Sequence, residues 1–427
     1  MSTKRTQTKV LNAANKATYD ALTRLSESLK ELDDTGRQAI TTNNSKKSSS
    51  NETNSVSSYT LLVPLRHWRE LSDEVLDAYK MIKDGAEYVK ATSTKYTLMG
   101  KASPDGDFGG LAQDLLKGAE IVAAGALVIH TDSAGCGRSC RYYVKRAVRG
   151  MLACLVALVE SFVDGSAFHE NVGAVKTGAL WESCDDLLML PKGNRAAIRR
   201  DLLGWARDCI ETMHEFQEIL DVESNVIKEE DEEGDVSQGI EKLSSNKQEE
   251  SGDAGWDEFC TGNVGDAYAA SERGVVEACL ALMKCSRATL AVTMDACEAA
   301  GELLTNLSKK NDIVDDQQKE GVNCMQRESI LQLIGSIIEA ARVVGEGVTD
   351  LGMQLYPPLQ LDSEGELVEQ LHAQKDALQI VHDLILVDGA EFAFTREITE
   401  KASRLRSVAV ERHNQAMAAV SKAAWVV

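Results

Sequence analysis

The stretch KTGALWESCDDLLMLPKGNRAAIRRDL, residues 176–202, decides how the rest of the chain is read. It combines Trp181 on a helical apolar stripe, the acidic pair Asp185 and Asp186, a Leu190-Pro191 break, and a basic helix start at Arg195, Arg199 and Arg200. Proline has no amide donor and restricts the residue before it, so the first helix ends there. Gly193 completes the break. The stretch is therefore a corner between two helices, and Trp181 is expected to be its buried anchor.

The same period runs outward in both directions. Upstream, helices are expected over about 65–99, 107–131, 138–168 and 171–190, with the partner of the corner at 194–221. Pro104 with Gly106 and Gly135 with Gly137 mark the earlier breaks. In the 138–168 segment Val144, Val148, Met151, Leu155, Val159 and Phe162 form one stripe, as a buried bundle helix requires. An amphipathic helix over 5–40 precedes these, with Val10, Ala14, Ala17, Ala21, Leu25, Leu29 and Leu32 at spacings of three and four. Downstream, helices are expected over about 262–308, broken near Gly274, and over 322–356, 364–387 and 390–424. Tyr356-Pro357-Pro358 stops the second of these, and Ser363 with Glu366 has the spacing of a capping box opening the third.

Two stretches carry no apolar period. TTNNSKKSSSNETNSVSS (41–58) reads as a flexible spacer or, alternatively, a phosphorylation target. Residues 223–258 hold 13 Asp/Glu against three Lys, a net of −10 out of the chain's −21. The folded remainder is thus only mildly acidic, which disfavours DNA binding by phosphate neutralisation. With aromatics at 5% and five prolines, helices are favoured over sheets. The expected fold is all-α: two antiparallel helical bundles joined by an acidic disordered linker. Its parts are an N-terminal amphipathic helix (1–42), a Ser/Asn-rich linker (43–58), a first bundle (59–222), the acidic linker (223–258) and a second bundle (259–427).

The opening MSTKRTQTKV is polar and basic, without the apolar core of a secretory signal. The cysteines are accordingly expected to be reduced and intracellular, with Cys154, Cys209, Cys279 and Cys297 lying in apolar helical stripes. IVAAGALVI (121–129) and MLACLVALV (151–159) are about half the length of a membrane span and read as core helices.

Strings that look catalytic fail on spacing. HEFQE (214–218) puts Glu218 where a zincin has its second histidine. GCGRSC (135–140) has two glycines of a dinucleotide fingerprint but neither the third nor a preceding strand, and reads as a helix-start turn. His130, Cys136 and Cys140 lack the spacing of a zinc finger or ribbon. Cys279, Cys285 and Cys297 share an apolar helix face. No phosphate loop or nucleophile elbow occurs. The expectation is a non-enzyme with no catalytic residue, cofactor or metal. An enzyme with a cryptic cysteine or metal site is one alternative, and a helical-bundle cytoskeletal or adhesion adaptor another.

Candidate contact surfaces are clearer. Arg138, Arg141, Lys145 and Arg149, at spacings of three, four and four, are expected to line one face of the 138–168 helix, as an ordinary solvated face or as a docking site for an acidic partner. On that reading, Arg141→Glu with Lys145→Glu weakens partner binding without unfolding the protein, and the acidic linker can fold over this face and compete. In the helix at 364–387, Leu371, Leu378 and Ile385 recur every seven residues, with Leu367, Gln374 and Val381 between them. This pattern fits core packing or a short dimerising zipper. The first helix (5–40), its following loop and the amphipathic helix at 65–99 faintly resemble a helix-loop-helix dimerisation element without the basic run that reads DNA.

Three stretches resemble the cyclin-D-binding (Grap-two and cyclin-D-interacting) family. They are GCGRSCRYYVKRAVRGMLACLVALVE (135–160), KTGALWESCDDLLMLPKGNRAAI (176–198) and EGVTDLGMQLYPPLQL (346–361), within a similarity spanning 59 to about 390. The resemblance implies an all-helical two-part fold. It also implies protein partners, namely D-type cyclins and helix-loop-helix transcription regulators, and a regulatory role in cell cycle or transcription, in cytoplasm and nucleus. Direct nucleic-acid or membrane binding is not expected. The mechanism implied is stoichiometric: amphipathic helices offer an apolar groove and charged faces select among partners.

Overall fold

The computed structural model describes residues 2–32, 68–102, 109–169, 171–232, 268–311, 317–361, 365–387 and 394–425. Among these residues the fold is all-α, with no strand. The helices are α1 (Ser2–Ser28), α2 (Asp73–Ala102), α3 (Gly109–Ile129), α4 (Arg138–Val163), α5 (Val172–Leu188), α6 (Asn194–Glu232), α7 (Ala270–Asn311), α8 (Gln317–Met353), α9 (Glu366–Leu386) and α10 (Arg396–Ala424). They fall into two compact units, one of residues 1–201 and 297–336, the other of residues 202–296 and 337–427.

In unit 1, α2 and α3 pack against each other, α5 returns along α2, and α4 lies against α5, α3 and α1. The α2–α3 seam is unusually close because glycines occupy it. A Cβ on Gly125 would come within 2.7 Å of the Ala78 carbonyl oxygen, and one on Gly85 within 2.8 Å of Val122 Cγ2. Around that seam the core is mainly apolar: Ile82, Val89 and Tyr96 from α2, Leu115, Val122 and Ile129 from α3, and Val144, Val148, Met151, Leu155 and Val159 from α4 are all buried. Both apolar stretches read as core helices, 121–129 and 151–159, contribute to it. The α2–α5 pair is fixed at two heights, by Lys90 to Asp185 at 2.7 Å and by Thr97 to Thr177 at 2.7 Å. Trp68 packs, buried, against Gly301 of α7, and Arg195 forms an ion pair with Glu298 at 2.7 Å.

In unit 2 the glycines of α8 again let helices approach closely. Gly345 and Gly352, seven residues apart, face Trp205 and Thr212 of α6, also seven apart. Glu272 joins distant backbone: its Oε2 accepts from the Ala269 amide at 2.7 Å and its Oε1 from the Leu359 amide at 2.9 Å. Tyr268 donates to the Leu355 carbonyl at 2.5 Å beside it. α9 packs on α10. Leu367, Leu371, Gln374, Leu378, Val381 and Ile385 are all buried, so the heptad pattern is bundle core. Cys279, Cys285 and Cys297 are buried, and the described cysteines are free thiols. Burial pushes the Cys209, Cys279 and Cys297 thiols up to about 12, so they behave as small apolar groups.

Several expected details differ. α7 is continuous through Gly274, where a Cβ would meet nothing within 4 Å, so the glycine is exposed rather than a break. α6 runs on to Glu232, into the acidic stretch. The cap of α9 is Gly365, in extended backbone, while Ser363 lies outside the described residues. The first helix ends at Ser28 with a single 3₁₀ turn to Glu31, and 33–40 lie outside the described residues. The Ser/Asn-rich linker and residues 233–258 also lie outside them.

Candidate partner-binding groove

The corner between α5 and α6 is held by buried polar contacts. The Tyr79 hydroxyl donates to the Pro191 carbonyl at 2.6 Å, accepts from the Gly193 amide at 3.3 Å, and lies 3.2 Å from Cys140 Sγ. Asn194 Oδ1 accepts from the Gly137 amide at 2.5 Å while its Nδ2 donates to the Gly135 carbonyl at 2.9 Å. Gly135 and Gly193 have φ of 63° and 86°, a region that favours glycine. The turn 131–137 and the turn 191–194 are thereby tied together at the start of α4. Burial pushes the Tyr79 phenol up, so it stays a protonated donor, and the neighbouring Cys136 thiol lowers Cys140. These contacts order the backbone of both turns.

The outer side of α4 is different. Between α1 and α4 lies a groove of about 730 Å³. Its α4 wall is Tyr142, Lys145, Arg146, Arg149, Gly150, Ala153, Val156, Ala157 and Glu160, and its other wall Thr23, Ser26 and Glu27 of α1 with Lys30 of the 3₁₀ turn that follows. Four cations, Lys30, Lys145, Arg146 and Arg149, gather at one end. Small side chains, Gly150, Ala153 and Ala157, leave the floor open toward Glu160 at the other. Lys30 pairs with Glu27 at 2.5 Å, an exposed pair of the kind that contributes little. Tyr19 of α1 reaches Glu160 at 3.5 Å. The groove suits a segment with acidic residues at one end and small or apolar ones along its length.

The four expected contact residues are divided by this geometry. Lys145 and Arg149 line the groove, and Lys145 also donates to the Leu32 carbonyl at 2.5 Å. Arg138 stands at the first residue of α4 with its charge near Asp201. Arg141 is only 2% exposed, its Nη2 donating to the Thr131 carbonyl at 3.2 Å and pairing with Asp132 at 3.4 Å. It is therefore no part of an open face, and Arg141→Glu is expected to act on stability rather than as a surface probe. The reason is angular: Arg141 precedes Val144 by three residues, so it sits roughly 60° from the apolar stripe, whereas Arg146 sits roughly 160° from it. Counting from the stripe instead of from the charges would have found Arg146. Lys30 had no such signal, because only the packing of α1 on α4 brings it to the groove.

Trp181 also departs from expectation. It is 37% exposed, one turn from both Thr177 and Asp185, and so lies at the outer edge of the α2–α5 seam. His214 is exposed and pairs with Glu218 at 3.5 Å, the surface position expected of HEFQE. Among the described residues no group of three or more His, Cys, Asp or Glu is placed to hold a metal ion. No helix among them is long and apolar enough to cross a membrane.

The elements that build the corner and the α4 wall are those where known proteins match. The chain resembles the Grap2 and cyclin-D-interacting family. Residues 81–222 match the family described as Grap2 and cyclin-D-interacting, N-terminal, from within α2 to within α6. The chain is 25% identical over 242 residues to the cyclin-D1-binding protein 1 homolog of Xenopus laevis, covering 56% of this chain and 59% of that protein. It is 25% identical over 292 residues to the homolog of the same name from Danio rerio, covering 66% of this chain and 70% of that one. The stretches 135–160 and 176–198 both fall inside the family match, whereas 346–361 falls outside it. Within the match, Gly135, Thr177, Cys184, Pro191 and Asn194 are accounted for by the folded backbone and core, while Arg146 and Arg149 are not.

Proposed function

We propose that this protein is a non-enzymatic interaction regulator that binds D-type cyclins and helix-loop-helix transcription regulators, modulating cell-cycle progression or transcription in cytoplasm and nucleus. The observation that carries the reading is the match of residues 81–222 to a cyclin-D-interacting family, supported by two relatives whose names state cyclin-D1 binding. The α1–α4 groove supplies a surface of suitable chemistry. Its cations attract an acidic segment, raising association rate and selecting among partners, while the open floor accepts small apolar side chains.

The test is titration of the purified full-length protein with a purified D-type cyclin, at low and at physiological salt, beside the variant Arg146→Glu with Arg149→Glu. Saturable binding that weakens about tenfold or more in the variant, with loss of salt dependence and an unchanged melting curve, supports both function and surface. Absence of binding at tens of micromolar removes the cyclin reading. Equal binding by wild type and variant moves the contact surface away from the groove.

A further inference from the structure

α1 presents an ill-matched face to the wall it covers. Among the described side chains of α1 and the 3₁₀ turn after it, Asn15, Thr18, Leu22 and Leu29 are buried, two of the four being polar, while Tyr19, Leu25 and Leu32 pack at the margin. Asn15 is 3% exposed, and its Oδ1 is buried without a hydrogen-bond partner. A buried acceptor left unpaired costs free energy that neither solvent nor protein returns. The wall is of the opposite character. α1 packs on α3 and α4, whose buried residues include Leu115, Ala119, Val148, Met151, Leu152 and Leu155. Along one edge the closure is incomplete, which is the groove of about 730 Å³. On that edge Lys145, Arg146 and Arg149 stand over the seam.

We propose that the slot on α3 and α4 is a receptor site for an amphipathic helix of a partner protein, and that α1 is its built-in occupant, displaced when the partner binds. The incoming helix carries apolar side chains at the spacings of Asn15, Thr18, Leu22 and Leu29, that is three, four and seven. It carries acidic side chains along the edge facing Lys145, Arg146 and Arg149. Such a helix outcompetes α1 on both counts: it buries methyl groups where α1 buries an unpaired amide oxygen, and it brings acidic side chains to Arg146 and Arg149, in a groove that Glu27 and Lys30 also line. Displacement also releases Lys145 from the Leu32 carbonyl. α1 then sets the apparent affinity, since the slot is available only in the fraction of molecules with α1 detached. The inference deepens the partner-binding reading and rests on it for the biological partner, though its test does not use that partner.

The probe is a fluorescein-labelled synthetic peptide of residues 13–32 carrying N15L and T18L, added to the intact full-length protein and followed by anisotropy and amide hydrogen exchange. Saturable binding is expected, with α1 amides losing protection while those of α4 stay protected. The full-length protein carrying Asn15→Leu and Thr18→Leu, whose own α1 is better seated, is expected to bind the peptide about tenfold or more weakly, because the detached fraction falls. No saturable binding by wild-type protein with a native melting curve overturns the inference, as does binding that leaves α1 protection unchanged. Equal peptide affinity of the two proteins overturns it too. Peptide binding in a protein that ignores D-type cyclin supports the slot and counts against the cyclin reading. Cyclin binding without peptide displacement of α1 does the reverse.

Discussion

The Tyr79 hydroxyl and the Pro191 carbonyl, 112 residues apart in the chain, meet at 2.6 Å inside unit 1. The same oxygen accepts from Gly193, so one phenol serves both sides of the turn between α5 and α6. Tyr79→Phe removes that oxygen and leaves a buried carbonyl and a buried amide without it. The expected loss is about 1–3 kcal/mol in urea unfolding, with little change in the m-value. Asn194→Ala, which frees the Gly137 amide and the Gly135 carbonyl together, is expected to cost at least as much.

Arg141 and Arg149 lie on one helix and respond oppositely to charge reversal. Arg141→Glu buries a carboxylate near Asp132 and strips the Thr131 carbonyl of its donor, an expected loss of about 3–5 kcal/mol. Arg149→Glu changes an exposed groove residue, with an expected effect within about 0.5 kcal/mol on stability. Thermal melts of the two single variants side by side check this. Equal destabilisation would mean that Arg141 is less enclosed than its contacts indicate.

Acid is expected to act on unit 2. His382 is fully buried, with Nε2 at 3.0 Å from Thr289 Oγ1 and Nδ1 without a partner. Burial pushes its imidazole down from 6.5 to about 4, Asp383 acting against that shift and Arg406 with it. The folded state therefore holds the neutral ring while the unfolded chain binds a proton below about 6.5. The stabilisation is complete above pH 6.5 and is lost as pH falls from there through 4, a total of about 3 kcal/mol. His413, against His372 at 3.2 Å, is shifted down by burial as well and adds to the same slope. Urea midpoints measured between pH 7.5 and 4.5 should fall with pH, and His382→Gln should flatten the fall. A slope unchanged by that variant would assign the acid sensitivity elsewhere.

Glu272 allows a graded test. Its two oxygens satisfy two amides, those of Ala269 and Leu359. Glu272→Gln retains one acceptor and Glu272→Ala none, so expected losses are about 1–2 and 2–4 kcal/mol, in that order. Denaturant titration of both variants reads the difference directly.

Helix existence was readable from the sequence because burial imposes the 3.6-residue period on every helix that packs, as in Val144, Val148, Met151 and Leu155. The Pro191-Gly193 corner was readable for a related reason, since few residues tolerate its backbone. Side-chain roles were not. Trp181 has the composition of an anchor, but its depth depends on how far α2 covers it. Arg141 looks like its basic neighbours until it is measured against the apolar stripe. Gly274 reads as a break, but an exposed glycine in a long packed helix costs only about 1 kcal/mol. The groove was half visible: Lys145 and Arg149 belong to a local pattern, whereas Lys30 and Ser26, 115 or more residues away in the chain, join them only through packing.

The glycine contacts carry a genetic consequence. At Gly347 the atom that would collide with an added methyl is the side-chain oxygen of Gln374, and at Gly118 it is a methyl of Val89. A lineage that loses either glycine can recover by trimming the opposing side chain, so second-site suppressors should exist for both. At Gly125 the nearest collision is with the Ala78 carbonyl oxygen, which every amino acid shares. No substitution at position 78 removes it. Mutational drift can therefore pass through 118 and 347 in pairs, while 125 offers no route of compensation across the seam.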